Sequence, residues 1–96
     1  MGKQEIIDII RHSKPEIEAR YGVMRVGLFG SYVREQQRKK SDIDILVSFD
    51  RDIDLFEFID LQEFLEALLH HKVDLVMEKA LKPAIGKRII SEVEYV

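Results

Sequence analysis

Two aspartates at the start of an apolar run constrain this chain more than any other feature. Asp42 and Asp44 open a stretch of mostly β-branched and aliphatic residues that continues to Phe49, a pattern typical of a β-strand. On a strand, residues i and i+2 point from the same face and lie roughly 6.6 Å apart along the chain. The two carboxylates are therefore expected to share one site.

A Gly-Ser turn precedes this strand. Gly30 and Ser31 end a second apolar run, Val23 to Phe29, and ten residues separate Ser31 from Asp42. Gly30 has no side chain and lets a ligand approach the backbone, while Ser31 suits the N-cap of a short helical segment after it. Because free amides at such a helix start attract phosphate oxygens, we interpret the turn as a phosphate-binding loop.

This combination indicates phosphoryl or nucleotidyl transfer from a magnesium-bound nucleoside triphosphate. Mg²⁺ prefers oxygen ligands and usually takes one or two carboxylates plus substrate phosphates. Asp42 and Asp44 are the candidate metal ligands, and Gly30 and Ser31 are the candidate nucleotide-binding residues. With two ions about 3.5 to 4 Å apart, one activates the attacking oxygen and the other the leaving group. The alternative is an ordinary strand with solvated aspartates.

At these residues the sequence resembles the nucleotidyltransferase superfamily of polymerase beta type, and in particular the minimal nucleotidyltransferase (MNT) antitoxins of HEPN/MNT toxin-antitoxin pairs. One departure is that Arg34-Glu35-Gln36 stands where the family commonly has Arg-Gly-Glu. The resemblance implies transfer of AMP from Mg-ATP to a tyrosine of a HEPN ribonuclease toxin. The similar segments cover most of the chain: Gly22-Val23, Gly27 to Tyr32, Ser41 to Val47, Asp54 to Phe56, Val73 to Val76 and Ala80 to Pro83.

A third aspartate interrupts the apolar run Val73 to Met77, which is predicted to be the third strand. A lone carboxylate there is costly unless it is paired, hydrogen-bonded or metal-bound; the alternative is an edge-strand aspartate that faces water. The resemblance favours a functional role, because family members carry a third carboxylate on the strand after the Asp-x-Asp strand. Asp74 is therefore predicted to be a third metal ligand or the base that accepts the proton of the attacking hydroxyl.

A second Asp-x-Asp pair, Asp52 and Asp54, lies just before a helical pattern that runs from Leu55 to Leu69. This pair has no Gly-Ser at the required distance, and Asp54 is better explained as the N-cap of the helix. We therefore assign the metal to Asp42 and Asp44.

The remaining patterns predict an α/β fold with a small mixed sheet of three or four strands flanked by helices. A helix from Lys3 to His12 is followed by a short helix with Ser13 as its N-cap and Gly22 as its C-terminal cap. The later order is strand, short helix, strand, helix, strand and a helix opened by Pro83. The tail from Val93 adds a strand or docks on a partner, and strand order stays open.

The helix from Leu55 to Leu69 has apolar residues around more than half of its circumference, whereas packing on one sheet needs a narrower stripe. Two explanations stay open. Either the terminal helix covers the excess, or another protein or a second copy of the chain does, which would make a hetero- or homo-oligomer.

Composition excludes several classes of protein. The 96 residues are expected to form one small domain, residues 1–96, and the absence of cysteine excludes disulfides and thiolate metal sites. No apolar run approaches a membrane span and the charged start is unlike a signal peptide, so we expect a cytoplasmic protein with no membrane partner. A net charge of −3 argues against direct nucleic-acid binding.

Two functions of different classes follow. The first is an antitoxin enzyme that uses ATP to modify its HEPN toxin. The alternative is a non-catalytic antitoxin that neutralises the partner by binding and masking its active site. The intact carboxylates favour the enzyme, because a protein that only masks has no physical need for them.

Overall fold

The computed structural model describes every residue from Met1 to Val96. No helix in it combines the length and the apolar character needed to cross a membrane. The helices are α1 (Lys3–Tyr21), α2 (Leu55–Leu69) and α3 (Pro83–Glu92), with short 3₁₀ helices at Gly30–Tyr32 and Glu78–Ala80. The strands are β1 (Val23–Phe29), β2 (Ile43–Phe49), β3 (Val73–Met77) and β4 (Glu94–Tyr95).

The four strands form one mixed sheet in the order β3-β2-β1-β4, which confirms the predicted fold class. β1 and β2 are antiparallel, whereas β2 and β3 are parallel because α2 crosses over between them. The register pairs Asp44 with Phe29 on one side and with Asp74 on the other. The end of the sheet where β1 finishes and β2 and β3 begin therefore collects the predicted site residues. The tail does add a strand, since β4 pairs with β1.

The hydrophobic core lies on the face of the sheet that α1 and α2 cover. Every second residue of β2 belongs to it, including Ile43 and Ile45. Because side chains alternate along a strand, Asp44 points to the opposite face. The helices contribute aliphatic residues to the same cluster of 17 buried side chains, among them Ile6, Ile10 and Ile17 of α1 and Leu61, Leu65 and Leu69 of α2.

The prediction of two helices before β1 is wrong. α1 is continuous, with Ser13 and Pro15 inside it. Proline removes one backbone hydrogen bond and crowds the preceding turn, which usually breaks a helix. Here Ile10 and Ile17 are both fully buried on either side of Pro15, and their burial holds the two halves on one axis. Gly22 does cap the helix as predicted, with a φ of 72°.

α1 covers only part of the apolar surface of α2. The Tyr21 ring lies 6.2 Å from that of Phe64, and the Tyr21 hydroxyl donates a 2.6 Å hydrogen bond to Asp60. The first turn of α2 lies beyond this contact, and Leu55 and Phe56 are 68% and 82% exposed there. The helix that covers part of α2 is thus α1, and cover of the exposed first turn by another protein or a second copy stays a prediction.

We expect Leu65→Ala to lower the free energy of unfolding by about 2 to 5 kcal/mol, because it leaves a cavity in the core. Phe56→Ala is the matched control: it removes a larger side chain from the same helix, but an exposed one, and should change stability by less than about 0.5 kcal/mol. Urea denaturation followed by circular dichroism measures both. Equal losses in the two variants would contradict this orientation of α2.

Candidate active site

The predicted carboxylates gather at one end of the sheet. Asp44 and Asp74 are paired residues on neighbouring parallel strands, so their side chains project side by side from the face opposite the core. Asp42 lies one residue before β2 and is exposed, close enough for its charge to act on Asp44. The structure therefore brings Asp44 and Asp74 together and leaves Asp42 beside them at the surface.

The environment of Asp44 disfavours its negative charge. Burial raises the pKa of Asp44 to about 6, and the charges of Asp74 and Asp42 and a hydrogen bond with Asp74 act in the same direction. Arg34 opposes the shift and lowers this pKa. Like charges this close resist joint ionisation, and a cation between them removes the repulsion. The oxygen donors suit a hard divalent ion such as Mg²⁺.

The three aspartates do not converge as a complete metal cage. No group of three His, Cys, Asp or Glu side chains lies close enough together to hold a metal ion. Mg²⁺ usually keeps several waters and binds proteins through one or two carboxylates, with substrate phosphates completing its shell. Two carboxylates such as Asp44 and Asp74 are as many as Mg²⁺ usually takes from a protein, and the roles of Asp42, Asp44 and Asp74 as metal ligands stay predictions.

Gly30 lies directly against the Asp44 carboxylate. Its φ is 77°, in the left-handed region, and a Cβ on this residue would overlap the Asp44 side chain. The glycine is required for two reasons: the backbone conformation favours it, and the close approach leaves no room for any side chain. As a result, the Gly-Ser turn and the acidic pair are in contact.

Ser31 does not cap a helix, so that prediction is wrong. The 3₁₀ helix after β1 includes Gly30 itself, and the residue at its N-cap, Phe29, makes no side-chain capping bond. The loop closes through its backbone instead, with the Ser31 carbonyl accepting a 2.9 Å hydrogen bond from the Gln36 amide. The proposed contact between the Ser31 hydroxyl and phosphate is a separate prediction and stays one.

Glu35 adopts a backbone conformation that glycine takes more easily than other residues. Its φ is 57°, so it adopts the left-handed conformation without the freedom of glycine. Such a conformation costs a residue with a side chain about 1 to 2 kcal/mol. The departure from the family pattern therefore places a side chain at a position whose conformation favours glycine, and Arg34 beside it reaches Glu92.

Sequence reasoning missed Glu92, the last residue of α3. Its carboxylate accepts a 2.6 Å hydrogen bond from the Gly30 amide and two of 2.9 Å from Arg34 Nη1. Glu92 and Arg34 are 58 residues apart in sequence, and no local pattern marks a contact of that range. The two groups nearest to the expected phosphate site are thus held by a carboxylate of the chain itself.

A cleft of about 210 Å³ opens between this loop and α3. Arg34 and Arg88 line it together with Gly30, Glu92 and apolar side chains of α3. Two guanidinium groups beside an acidic pair suit a ligand that carries both phosphates and a metal ion. A larger cavity of about 330 Å³ lies near the opposite end of β2 and contains none of the predicted site residues.

The second Asp-x-Asp pair has the structural role that the sequence suggested. Asp54 Oδ1 accepts a 2.8 Å hydrogen bond from the Glu57 amide, and the Glu57 side chain accepts one from the Asp54 amide, which completes a capping box. Asp52 is fully exposed and forms a 3.7 Å ion pair with Lys79. Both residues follow β2, whereas the acidic site lies at its start.

Known proteins are similar to this chain in sequence and in fold. A family model described as a nucleotidyltransferase domain matches residues 10–96. The chain belongs to the nucleotidyltransferase family. It is 48% identical over 93 residues to protein adenylyltransferase MntA of Thermococcus cleftensis, across 97% of this chain and 94% of that protein. The nucleotidyltransferase resemblance noted from sequence is thereby confirmed.

Solved structures agree with the nucleotidyltransferase fold. One, described as a minimal nucleotidyltransferase, superposes with a TM-score of 0.82 at 34% identity, covering 98% of this chain and 95% of the other. A chain of a toxin-antitoxin complex solved with AMP-PNP has a TM-score of 0.71 at 25% identity, covering 99% of this chain and 72% of the other. The predicted sheet with flanking helices is the architecture of this family.

We expect Asp44→Asn to stabilise the metal-free nucleotidyltransferase at neutral pH. The pKa of Asp44 is raised from 3.8 to about 6, so the folded protein binds this proton more tightly than the unfolded chain does. Wild-type stability should therefore fall as the pH rises from about 4 to 6, and the variant should gain about 1 kcal/mol above that range, after allowance for solvent screening.

Unfolding in the presence of EDTA at several pH values between 4.5 and 7.5 tests this expectation. The difference between Asp44→Asn and wild type should grow with pH, whereas Asp52→Asn, which changes an exposed carboxylate outside the site, should show a constant difference. A constant difference for Asp44→Asn as well would mean that its carboxylate carries no penalty.

Proposed function

We propose that this nucleotidyltransferase is an antitoxin that transfers AMP from Mg-ATP to a tyrosine hydroxyl of a partner HEPN ribonuclease toxin and thereby neutralises it. The observation that carries the transfer reaction is the contact of Gly30 with the acidic pair Asp44 and Asp74. It brings a phosphate-binding turn and metal-binding oxygens within the span of one triphosphate. ATP as donor also fits the cytoplasmic location expected from the sequence.

The relatives support the finer parts of this proposal. The Thermococcus cleftensis protein, similar over nearly its whole length, is named a protein adenylyltransferase. The solved toxin-antitoxin complex contains AMP-PNP, an ATP analogue. These names support a nucleotide donor and a protein acceptor for this chain, while the HEPN class of the partner and the tyrosine acceptor come from the family resemblance.

In this proposal the site residues serve as metal ligands, as phosphate-binding groups and as the base. Asp42 and Asp44, with Asp74 as a third ligand or as the base, would hold two Mg²⁺ ions, whose charge would stabilise the transferring nucleotidyl group. The Gly30 amide and the Ser31 hydroxyl donate hydrogen bonds to phosphate oxygens. The tyrosine oxygen forms a bond to the α-phosphorus as the bond from that phosphorus to the bridging oxygen breaks and pyrophosphate leaves. Asp74, if it is not a ligand, takes the tyrosine proton.

The first turn of α2 is the proposed surface for the toxin. Leu55, Phe56 and Ile59 are all exposed there and form one apolar patch. Contiguous apolar surface of this kind usually marks an interaction site, and aromatic side chains contribute strongly to such interfaces. α2 begins after the end of β2, so the patch lies at the opposite end of the sheet from Asp44. A partner bound there leaves the acidic pair open to its acceptor residue.

Masking without catalysis is the second candidate, and the exposed patch by itself suits either function. The environment of Asp44 distinguishes transfer from masking. A half-buried aspartate with a pKa raised to about 6 reduces stability at neutral pH, and a protein that only masks gains nothing from it. We therefore favour transfer.

We expect Asp42→Asn and Asp44→Asn each to reduce AMP transfer by at least about 100-fold, because each removes charge that the metal requires. Asp52→Asn and Asp54→Asn are matched controls: they make the same chemical change in the other Asp-x-Asp pair, and asparagine still serves as an N-cap. Transfer is measured by mass spectrometry of the partner toxin after incubation with ATP and Mg²⁺. Near wild-type transfer by Asp42→Asn or Asp44→Asn would contradict the assignment of that residue as a metal ligand.

Binding and transfer should be separable. The double variant Asp42→Ala with Asp44→Ala should still co-purify with the toxin but fail to silence it durably, whereas Phe56→Asp should fold and lose co-purification. Toxin pre-treated with wild-type protein and ATP should stay inactive after this protein is removed. If the double variant neutralises as well as wild type and pre-treated toxin recovers on separation, masking is the mechanism.

A further inference from the structure

The end of α3 places a carboxylate where phosphate oxygens are expected. Glu92 binds the Gly30 amide through Oε2 and Arg34 Nη1 through both of its oxygens. The Glu92 side chain is 19% exposed and that of Arg34 is 39% exposed, so the bond to Gly30 is partly buried whereas the two bonds to Arg34 face solvent. A carboxylate and a phosphate present oxygens of the same charge to the same donors, and arginine binds both.

We propose that Glu92 is an internal competitor for the polyphosphate of the nucleotide. It holds Gly30 and Arg34 while the cleft is free of nucleotide, and it releases both donors when a triphosphate enters. The Gly30 amide has a single hydrogen, and Arg34 Nη1 is already bonded to both Glu92 oxygens, so a phosphate that takes these donors displaces the carboxylate. After the exchange Arg34 and Arg88, which line the same cleft, face the phosphates. The inference rests on the proposed function, since it specifies how that site takes its substrate.

The fold allows Glu92 to move without opening the core. α3 contributes no buried residue, so little packing holds its orientation. The chain beyond it is fixed independently: the Val96 amide bonds the Val26 carbonyl at 2.8 Å, and Glu94 pairs with Lys3 at 3.0 Å. Rotation of one side chain at the junction of α3 and β4 is therefore enough to expose the phosphate donors.

A positioning role for Glu92 makes the opposite prediction. If Glu92 stays in place and orients Arg34 toward the phosphates, its loss weakens polyphosphate binding. If Glu92 competes with the phosphates, its loss strengthens binding. The sign of the change in affinity therefore decides between the two.

The test is isothermal titration calorimetry with inorganic triphosphate, with ATP and with adenosine, each in the presence of Mg²⁺. Glu92→Gln should bind triphosphate and ATP roughly ten-fold more tightly than wild type, because charge-assisted hydrogen bonds no longer have to be broken. Adenosine, which has no phosphate, should bind equally to both proteins. Glu94→Gln is the matched control, since it removes the same charge two residues away in a pair with Lys3, and it should change every affinity by less than about two-fold.

A double-mutant cycle with Arg34→Gln separates release of this arginine from a general effect of charge. In the Arg34→Gln background, most of the gain from Glu92→Gln should disappear, since the released donor is absent. An undiminished gain would overturn the competitor role, as would unchanged or weaker triphosphate binding by Glu92→Gln alone. Thermal unfolding without ligand checks that each variant folds, and Glu92→Ala replaces the glutamine variant if that one does not.

The outcomes also distinguish this inference from the proposed function. Inorganic triphosphate probes the phosphate donors without any acceptor or transfer step. Tighter triphosphate binding by Glu92→Gln in a protein that transfers no AMP would leave the competitor role standing and remove the enzyme. Transfer by wild type together with unchanged triphosphate affinity in Glu92→Gln would support the enzyme and contradict the competitor role of Glu92.

Discussion

The repulsion between Asp44 and Asp74 is the interaction on which the rest of the site depends. Two carboxylates on adjacent strands can stay this close only if the strands cannot separate. Ile43 and Ile45 on β2 and the buried residues of β3 anchor both strands in the core beneath α1 and α2. Burial on one face of the sheet thus holds like charges together on the other, and the pKa of Asp44 is raised first by its own burial and then by the charges of Asp74 and Asp42. A metal ion bound between the two carboxylates would relieve their repulsion, and this relief would contribute to the affinity for the metal.

The phosphate loop is held in place by contacts at both of its ends. Gly30 packs on Asp44 at the start, and Glu35 adopts a left-handed backbone a few residues later. Glycine adopts the Gly30 conformation freely, whereas the Glu35 conformation is unfavourable for a residue with a side chain and persists because the surrounding structure fixes it. Arg34 lies between them, where its charge lowers the pKa of Asp44 and its guanidinium reaches Glu92. The loop therefore connects the metal side of the site to its phosphate side.

Local patterns predicted what local physics decides, and long-range contacts explain the failures. The bounds of β1, α2 and β3 and the capping role of Asp54 follow from residues a few positions apart, and the structure confirms them. Pro15 misled the prediction of α1 because burial of distant side chains outweighed its effect on the helix. The role of Glu92 could not be predicted, because its partners Gly30 and Arg34 lie 62 and 58 residues away in the sequence. Asp42 and Asp44 could be identified from one stretch of sequence, whereas the contacts of Asp44 with Asp74 and with Gly30 required the register of the sheet.

The charges of the site favour entry of metal and triphosphate together. On the acidic side, Asp44 and Asp74 carry like charges, so a triphosphate that arrives alone meets repulsion there. On the other side, Arg34 and the Gly30 amide are hydrogen-bond donors, which bind anions and not a metal ion. The Mg²⁺ complex of a triphosphate, the proposed substrate, would satisfy both halves, with its metal at the carboxylates and its phosphates at Gly30 and Arg34. In the proposed competition Glu92 favours the metal complex over a free anion, because the accompanying metal ion also relieves the repulsion at Asp44.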